Sequence, residues 1–354
     1  MTEGQGQKPP ARKAGSDAPT LQDVAQAAGV STATVSRCLN MPERVVKDTR
    51  ERVLAVVEKL GYAPNFGARA LAAKRTNTIG AIIPTMENAI FARGLQAFQE
   101  ELARHGLTLL VASSSYQPEL EREQIRTLLA RGADALLLIG FERAASVYEL
   151  LDQRSVPYVI AWAFDETAQH PAIGFDNREA MRALARQVFE LGHRDVAIIT
   201  APLAPNDRAR DRVSGVWDAA REVGLCPDEI TLIETPYSIE NGAAAMEDLL
   251  GQKPRPTAVM CGNDVLAVGA MGQAQSMGLS VPGDISITGF DDIEIAGIVT
   301  PALTTVHVPH RQMGKEAAQV LSDLLGGATA GAPVRLQTEI MSRASLGPVP
   351  REDA

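Results

Sequence analysis

From Thr20 to Gly61 the apolar residues recur at helical spacing in three short runs. In TLQDVAQAAG, Leu21, Val24, Ala25 and Ala28 share one face. Thr20 opens that run with Asp23 three residues on, a capping-box pattern, and Gly29 closes it and permits a tight turn. In the next stretch, GVSTATVSRCLN, the polar and small residues Thr32, Ala33, Ser36, Arg37 and Asn40 fall on one face, with Val35, Cys38 and Leu39 behind them. That helix has a back that packs and a front that is kept bare. TRERVLAVVEKLG gives a third helix with Val53, Val56, Val57 and Leu60 on one side and Gly61 as its stop. Three such helices bury one small shared core.

From Ile79 the pattern changes to continuous apolar runs alternating with amphipathic helices. The runs are IGAIIP, TLLVAS, ALLLIG, PYVIAW, AIGFD, VAIIT, ITLIE, AVMCGND and ISITGFDD. Between them lie helical stretches such as AIFARGLQAFQEELARHG, EREQIRTLLARG, NREAMRALARQVFELG and AMEDLLG. Apolar strands alternating with helices predict parallel sheets covered on both faces. The length of this region exceeds one comfortable core, so two doubly wound α/β lobes are expected.

The segment between the two patterns, PNFGARALAAKRT, starts with a helix-breaking Pro64 and a capping Asn65 and continues with good helix formers apart from Gly67. It is too short to hold a helix alone in water. The expected division is a disordered arm at 1–19, a helical domain at 20–64, a hinge or linker at 65–76, a two-lobed body at 77–347 and a tail at 348–354.

Charge sharpens the division. Residues 20–75 carry nine Lys/Arg against five Asp/Glu, whereas the 354-residue chain has a formal net charge of −9. A small basic module on an acidic body is attracted to a polyanion at one end only. No apolar run approaches the roughly 18 residues of a membrane span, and the polar N-terminus has no signal region, so a cytoplasmic protein is expected. Cys38, Cys226 and Cys261 are widely spaced and odd in number, which predicts reduced thiols rather than disulfides or a zinc site.

The order helix, Gly turn, bare-faced helix, third helix predicts a helix-turn-helix DNA-binding domain with its second helix in the major groove. Thr32 and Ala33 are small enough to let the backbone approach base edges. Thr34, Ser36 and Asn40 are suited to phosphate contacts, which position the protein, and forked Arg37 suits guanine O6 and N7. Thr20 and Ser31 complete the expected DNA-contacting set. A plain three-helix bundle with a solvated polar face is the alternative.

In open α/β sheets ligands sit beyond the carboxyl ends of strands. Those ends here are Pro84, Ser113, Gly140, Trp162, Asp176, Thr200, Asn263, Asp264 and Asp291. Carboxylates and amides chelate neighbouring hydroxyls, and Phe91, Trp162 and Phe290 offer faces for a sugar ring. Asp176, before NREAM, is expected to cap a helix; Asp291 and Asn263 are expected to touch ligand.

TLQDVAQAAGVSTATVSRCLN, TRERV and GYAPNFGARALAAKRTNTIGAIIP together resemble the N-terminal region of LacI/GalR-family bacterial transcription regulators. The resemblance continues through nearly all of the chain. One departure is Val46, where the family usually has a serine that caps the third helix; Asp48, with Glu51 three residues on, offers a cap for a shifted start. The resemblance implies that residues 65–76 form a hinge helix in the operator's minor groove, with Leu71 wedging between base steps and Asn65 and Arg69 contacting backbone or groove. It implies a type I periplasmic-binding-protein-like body that senses a small molecule. Arg212 in the pattern RxxG, Asn263-Asp264 and GFDD would then contact effector, and Phe91 would line the pocket; His310, near a lobe crossover in the sequence, is expected to line it too. Arg208, one turn before Arg212, is not a general family feature: two arginines on one helix face suit an acidic ligand such as a sugar acid, or a surface salt-bridge pair.

No nucleophile motif, phosphate loop or H-E-x-x-H accompanies the histidines, and His307 with His310 makes a weak metal pair, so a non-enzyme without metal or cofactor is expected. A solute-transport protein fits poorly, since it needs an export signal and no DNA-binding head. A thiol-based redox regulator would use Cys38, which lacks a resolving partner. The expectation is a ligand-controlled repressor of a sugar or sugar-acid operon, with a corepressor-dependent or redox-responsive regulator as the alternative. It binds double-stranded operator DNA as a homodimer, with a tetramer as the other option.

Overall fold

A computed structural model of the chain describes residues 19–63, 75–87 and 89–350. The expected arm, and the hinge with Asn65, Arg69 and Leu71, lie outside these residues apart from a few flanking positions. The chain divides into two compact units, Met1–Thr76 and Asn77–Ala354.

The first unit holds α1 (Leu21–Ala28), α2 (Thr32–Asn40) and α3 (Lys47–Leu60). Thr20 and Asp23 form the capping box: the Asp23 amide donates to Thr20 Oγ1 at 3.3 Å, and the Thr20 amide donates to Asp23 Oδ2 at 2.8 Å. Gly29 then turns the chain with φ +64°, a conformation that L side chains resist. Val24, Ala25, Ala28, Val35, Cys38 and Val53 form the shared core, so Cys38 is a packed residue and not an accessible thiol. The expected cap by Asp48 is not made. α3 begins two residues earlier than that cap would set it, at Lys47 after Val46, which has no capping side chain. Val45 packs against the core and so fixes where the chain enters the helix. Asp48 falls in the first turn, where its charge suits the helix dipole but bonds no orphan amide.

The second unit contains a six-stranded and a four-stranded sheet, with a small two-stranded one besides. β1 (Thr78–Ile83), β2 (Thr108–Ser113), β3 (Ala135–Ile139), β4 (Tyr158–Ala161), β5 (Ala172–Gly174) and β11 (Val334–Arg335) run parallel in the order β11-β5-β4-β3-β1-β2. The helices following these strands are α4 (Ala89–Arg104), α5 (Pro118–Ala130), α6 (Ala145–Gln153) and α7 (Asn177–Glu190). β6 (Val196–Thr200), β7 (Thr231–Glu234), β8 (Ala258–Cys261) and β9 (Ser286–Thr288) run parallel in the order β7-β6-β8-β9. They alternate with α8 (Asp207–Glu222), α9 (Ile239–Leu250) and α10 (Asp264–Ser276).

Strands β1, β3, β4, β6 and β8 are buried at every position, which is why they read as unbroken apolar runs. The final stretch holds α11 (Glu294–Ile298), β10 (Thr305–His307), α12 (His310–Leu325) and β12 (Glu339–Met341). α12 packs on β3, β4, β5 and α4, whereas α7 packs on α8, β10 and β12. The chain thus passes from the first lobe to the second after β5, returns at α12, and crosses again after β11. Two expected strands are shorter than their apolar runs. β5 ends before Phe175, and β9 ends before Gly289, leaving Asp291 and Asp292 in a loop at φ 107° and 53°.

Candidate functional site

Two polar surfaces stand out, one on each unit. On the first, the α2 front is laid out as its spacing predicts: Thr32, Ala33, Arg37 and Asn40 are exposed and Ser36 half-buried, while Val35 and Cys38 are buried behind them. Local bonds hold this face. Ser31 is the N-cap, accepting from the Thr34 amide at 3.2 Å, and its hydroxyl lies 3.0 Å from that of Thr34. The Asn40 amide donates to the Ser36 carbonyl at 2.9 Å. Thr20 is exposed at the start of α1. Among the described residues the Arg37 guanidinium has no bonding partner, so its forked donors are directed to solvent.

The second surface is a narrow cavity in the body, lined by Ile90, Phe91, Tyr116, Trp162, Asn206, Arg208, Arg212, Tyr237 and Asp291. Five sequence-predicted residues therefore meet there: Phe91, Trp162, Arg208, Arg212 and Asp291. They come from α4, the end of β4, α8 and the loop after β9, the strand-end positions at which α/β sheets collect ligands.

The aromatic wall is built by close packing. Phe91 and Trp162 lie 5.4 Å apart between ring centroids, tilted by 58°. A Cβ at Gly94 would overlap the Trp162 ring, so only glycine lets the indole lie against α4. The Trp162 indole donates to His310 Nδ1 at 3.1 Å. His310 was expected to line the pocket; it stands behind Trp162 instead, because α12 begins there and presents its ring to the indole edge. Burial pushes its imidazole down to about 3, so it is neutral and accepts at Nδ1.

Arg212 is fixed on three sides. Its Nε donates to Asn177 Oδ1 at 2.9 Å, its Nη1 donates to the Gly262 carbonyl at 2.6 Å, and its guanidinium lies 3.9 Å from the Phe290 ring centroid. Asn177 also donates to the Trp162 carbonyl at 3.0 Å, so one chain of bonds links the aromatic wall to the second lobe. The remaining nitrogen, Nη2, faces Asp291 Oδ1 at 3.8 Å, an ion pair beyond hydrogen-bond range. Asp291 is only 1% exposed, and neither carboxylate oxygen has a hydrogen-bond partner among the described residues. Burial, opposed by Arg212, raises its carboxyl to about 7.

Arg208 donates from Nη1 to Asp207 Oδ1 at 2.7 Å, and Asp207 Oδ2 accepts from the Phe141 amide at 2.5 Å. Burial pushes the Asp207 carboxyl up, but the Arg208 charge and the backbone amides outweigh it and hold it below the usual range. A Cβ at Gly140 would meet this pair, so the glycine leaves the space the pair occupies.

Asn263 is not among the residues that line this cavity. It has extended backbone and caps α10, its Oδ1 accepting from the Leu266 amide at 2.9 Å, while its side-chain nitrogen is buried without a hydrogen-bond partner among the described residues. Its neighbour Asp264 accepts from the Thr305 hydroxyl at 2.5 Å and the Ile293 amide at 2.8 Å, tying α10 to the crossover strand. Burial first, and Asp291 next, raise that carboxyl to about 8. Asp176 is the cap that its position predicted, accepting from the Glu179 amide at 2.9 Å.

Sequence reasoning missed Asn177, Asn206, Tyr116 and Tyr237. Tyr116 follows β2 by three residues, and with Ser115 it takes left-handed backbone, φ 57° and 49°, which aims its ring at Tyr237 across 6.3 Å. The strand-end rule stopped at Ser113 and so fell short of it. Among the described residues no helix is long and apolar enough to cross a membrane.

Residues 20–65 match the model for bacterial regulatory proteins of the lacI family, and residues 185–346 match that for a periplasmic binding protein-like domain. The HTH-type transcriptional repressor PurR of Edwardsiella ictaluri is 34% identical over 334 residues, covering 94% of this chain and 98% of its own. A Lacl-family transcriptional regulator from Silicibacter pomeroyi superposes with a TM-score of 0.84 at 27% identity, covering 93% of this chain and 99% of its own. The Lac repressor dimer bound to operator and the anti-inducer ONPF superposes with a TM-score of 0.82 at 27% identity, covering 94% of this chain and 100% of its own. The chain belongs to the lacI family of bacterial regulatory proteins, DNA-binding transcription regulators in which a helix-turn-helix head is joined to a periplasmic-binding-protein-like body.

Proposed function

We propose that this chain is a repressor that grips operator DNA through the front of α2 and is switched by a small polyhydroxylated effector, a sugar or sugar acid, in the body's cavity. The observation that carries the effector reading is Asp291: a carboxylate buried with no hydrogen-bond partner among the described residues, beside an arginine locked in place, in a cavity with two aromatic faces. A buried acid left unsatisfied is costly to the protein alone and is relieved by a ligand hydroxyl that donates to it.

On the DNA side, Arg37 reads guanine from the major groove. Thr32 and Ala33 admit the backbone close to base edges, and Thr20, Ser31, Thr34, Ser36 and Asn40 contact phosphates. Two copies place their α2 helices in successive major grooves of a pseudo-palindromic operator. Asn65, Arg69 and Leu71 act at the central minor groove. The effector changes how the two lobes of the body close, which shifts the population competent for DNA.

Selection from a random duplex pool, followed by titration of the selected duplex, tests this reading. Wild-type protein enriches a pseudo-palindrome; Arg37→Ala weakens binding to it by about 1–3 kcal/mol and relaxes the choice at one base position. Undiminished, equally selective binding by that variant would remove Arg37 from the reading role. Adding sugars and sugar acids to the protein–duplex complex then gives the sign: release marks an inducer, tightening a corepressor.

A further inference from the structure

The donors and acceptors around the cavity are unequal in number, and the imbalance bears on which effector fits. Arg212 spends Nε and Nη1 on protein oxygens but leaves Nη2 without a hydrogen bond. Arg208 spends Nη1 on Asp207 and, among the described residues, shows no partner for Nε or Nη2, although its side chain is only 10% exposed. Both arginines line one cavity, to which, among the described residues, Asp291 supplies the only carboxylate. Arg208 also borders a neighbouring cavity with two acids, Glu121 and Glu142, but those are already paired with Arg143 and Arg210.

A neutral polyol answers poorly to this arrangement, because each of its hydroxyls brings a donor along with its acceptors. A carboxylate brings only acceptors, about four lone-pair sites, and matches guanidinium donors in charge and in planar geometry. The charge balance limits the ligand further. Asp207 neutralises Arg208, and Asp291 faces Arg212 from a buried position that disfavours its ionised form. The cavity therefore accommodates one added negative charge; a phosphate dianion or a dicarboxylate would set a second against Asp207 and Asp291.

Building on the reading of this cavity as the effector site, we propose that the effector is a small polyhydroxy monocarboxylate, and that Arg208, together with the free Nη2 of Arg212, holds its carboxylate. Its hydroxyls then donate to Asp291, and its carbon chain lies against Phe91 and Trp162. Arg208 is the residue that makes the site select an acid over the neutral compound of the same length.

Calorimetric titration of the full-length protein with pentonates and hexonates, the corresponding alditols and aldoses, and 6-phosphogluconate tests the assignment. The expected result is that one aldonate binds, and that its alditol and aldose bind roughly 10- to 100-fold more weakly, the difference made by losing a charged hydrogen-bonded pair. Arg208→Gln narrows that gap to within a fewfold, and Arg208→Lys, which keeps charge without the fork, recovers part of it. Melting curves of both variants, and their retained affinity for the selected duplex, confirm folding. An alditol or aldose that binds as tightly as the acid, a gap unchanged in Arg208→Gln, preference for 6-phosphogluconate, or no binding by any aldonate each overturns the proposal. Arg212→Ala separates this from the underlying reading. A neutral sugar whose binding that variant abolishes keeps the cavity as effector site and defeats only the carboxylate; a ligand indifferent to Arg212→Ala and Asp291→Asn defeats both.

Discussion

The front of α2 and the cavity of the body are both polar surfaces, but they carry their polarity in opposite ways. On α2 the polar groups are in water or satisfied within one turn, as Asn40 is by Ser36 and Thr34 by Ser31. In the cavity, Asp291 and Arg212 are removed from water, and neither oxygen of Asp291 has a hydrogen-bond partner among the described residues. A surface for a polyanion can leave its cations hydrated, because attraction to phosphates acts through solvent and is completed on contact. A site for a small ligand must exclude water to discriminate, and its unsatisfied groups then burden the unliganded fold. Substitutions on α2 should therefore change binding at nearly constant stability, and substitutions in the cavity should change both.

The largest test is Arg212→Met. It removes two hydrogen bonds and the ion partner of a buried acid, and truncating one member of a buried pair costs about 3–5 kcal/mol. Denaturant unfolding should show that loss in the body, while Arg37→Ala, at an exposed position without partners among the described residues, stays within about 0.5 kcal/mol of wild type. Equal losses from the two would break the contrast.

Next in size is the pH dependence caused by Asp291. With its folded carboxyl near 7 and the unfolded one near 3.8, the native state keeps a proton that the unfolded chain has already released. Stability contributed by this group is complete below about pH 4, falls as pH rises through the interval to 7, and is level above it. A rise of about three units sets the fall at up to about 4 kcal/mol. Asp264, raised to about 8, adds to the same slope. Asp291→Asn should flatten the decline between pH 4 and 7 and leave the part that belongs to Asp264. An unchanged profile in urea unfolding across that range would show that Asp291 is ionised and hydrated.

The same contrast explains what was legible in the sequence. The α2 front is one helix face, so a 3.6-residue period collects it in nine residues. The wholly buried strands were legible too, because a strand covered on both faces has no polar alternation. The cavity draws on residues far apart in the chain, and strand ends nominate candidates without choosing among their competing roles. Asn263 and Asp291 looked alike as polar residues after apolar runs. The distinction is geometric: Asn263 leads straight into α10, whose orphan amides its side chain can satisfy, whereas Asp291 sits in left-handed backbone three residues before α11 and caps nothing. Tyr116 and Tyr237 carried no periodic signal, since two consecutive left-handed residues in one case and a turn before α9 in the other set their direction.

The smallest test returns to Val46, the one place where the head departs from what its resemblance implied. Thr20 shows what a cap does in this unit, with its hydroxyl and Asp23 satisfying each other's amides at the start of α1. Val46 occupies the equivalent position before α3 with extended-type backbone, φ −57° and ψ 138°, and no capping bond. It is 74% exposed, so replacing it surrenders little packing. Val46→Ser places a hydroxyl where it can accept from the amide of Asp48 or Thr49, which should stabilise the head by about 0.5–1 kcal/mol. The gain falls at the low end because the Asp48 carboxylate already suits the positive end of the helix. Hydrogen exchange at the first-turn amides of α3, in the full-length protein, should slow severalfold. If those amides exchange as before, the entry into α3 is set by Val45 packing in the core, and an exposed cap on this surface has nothing to add.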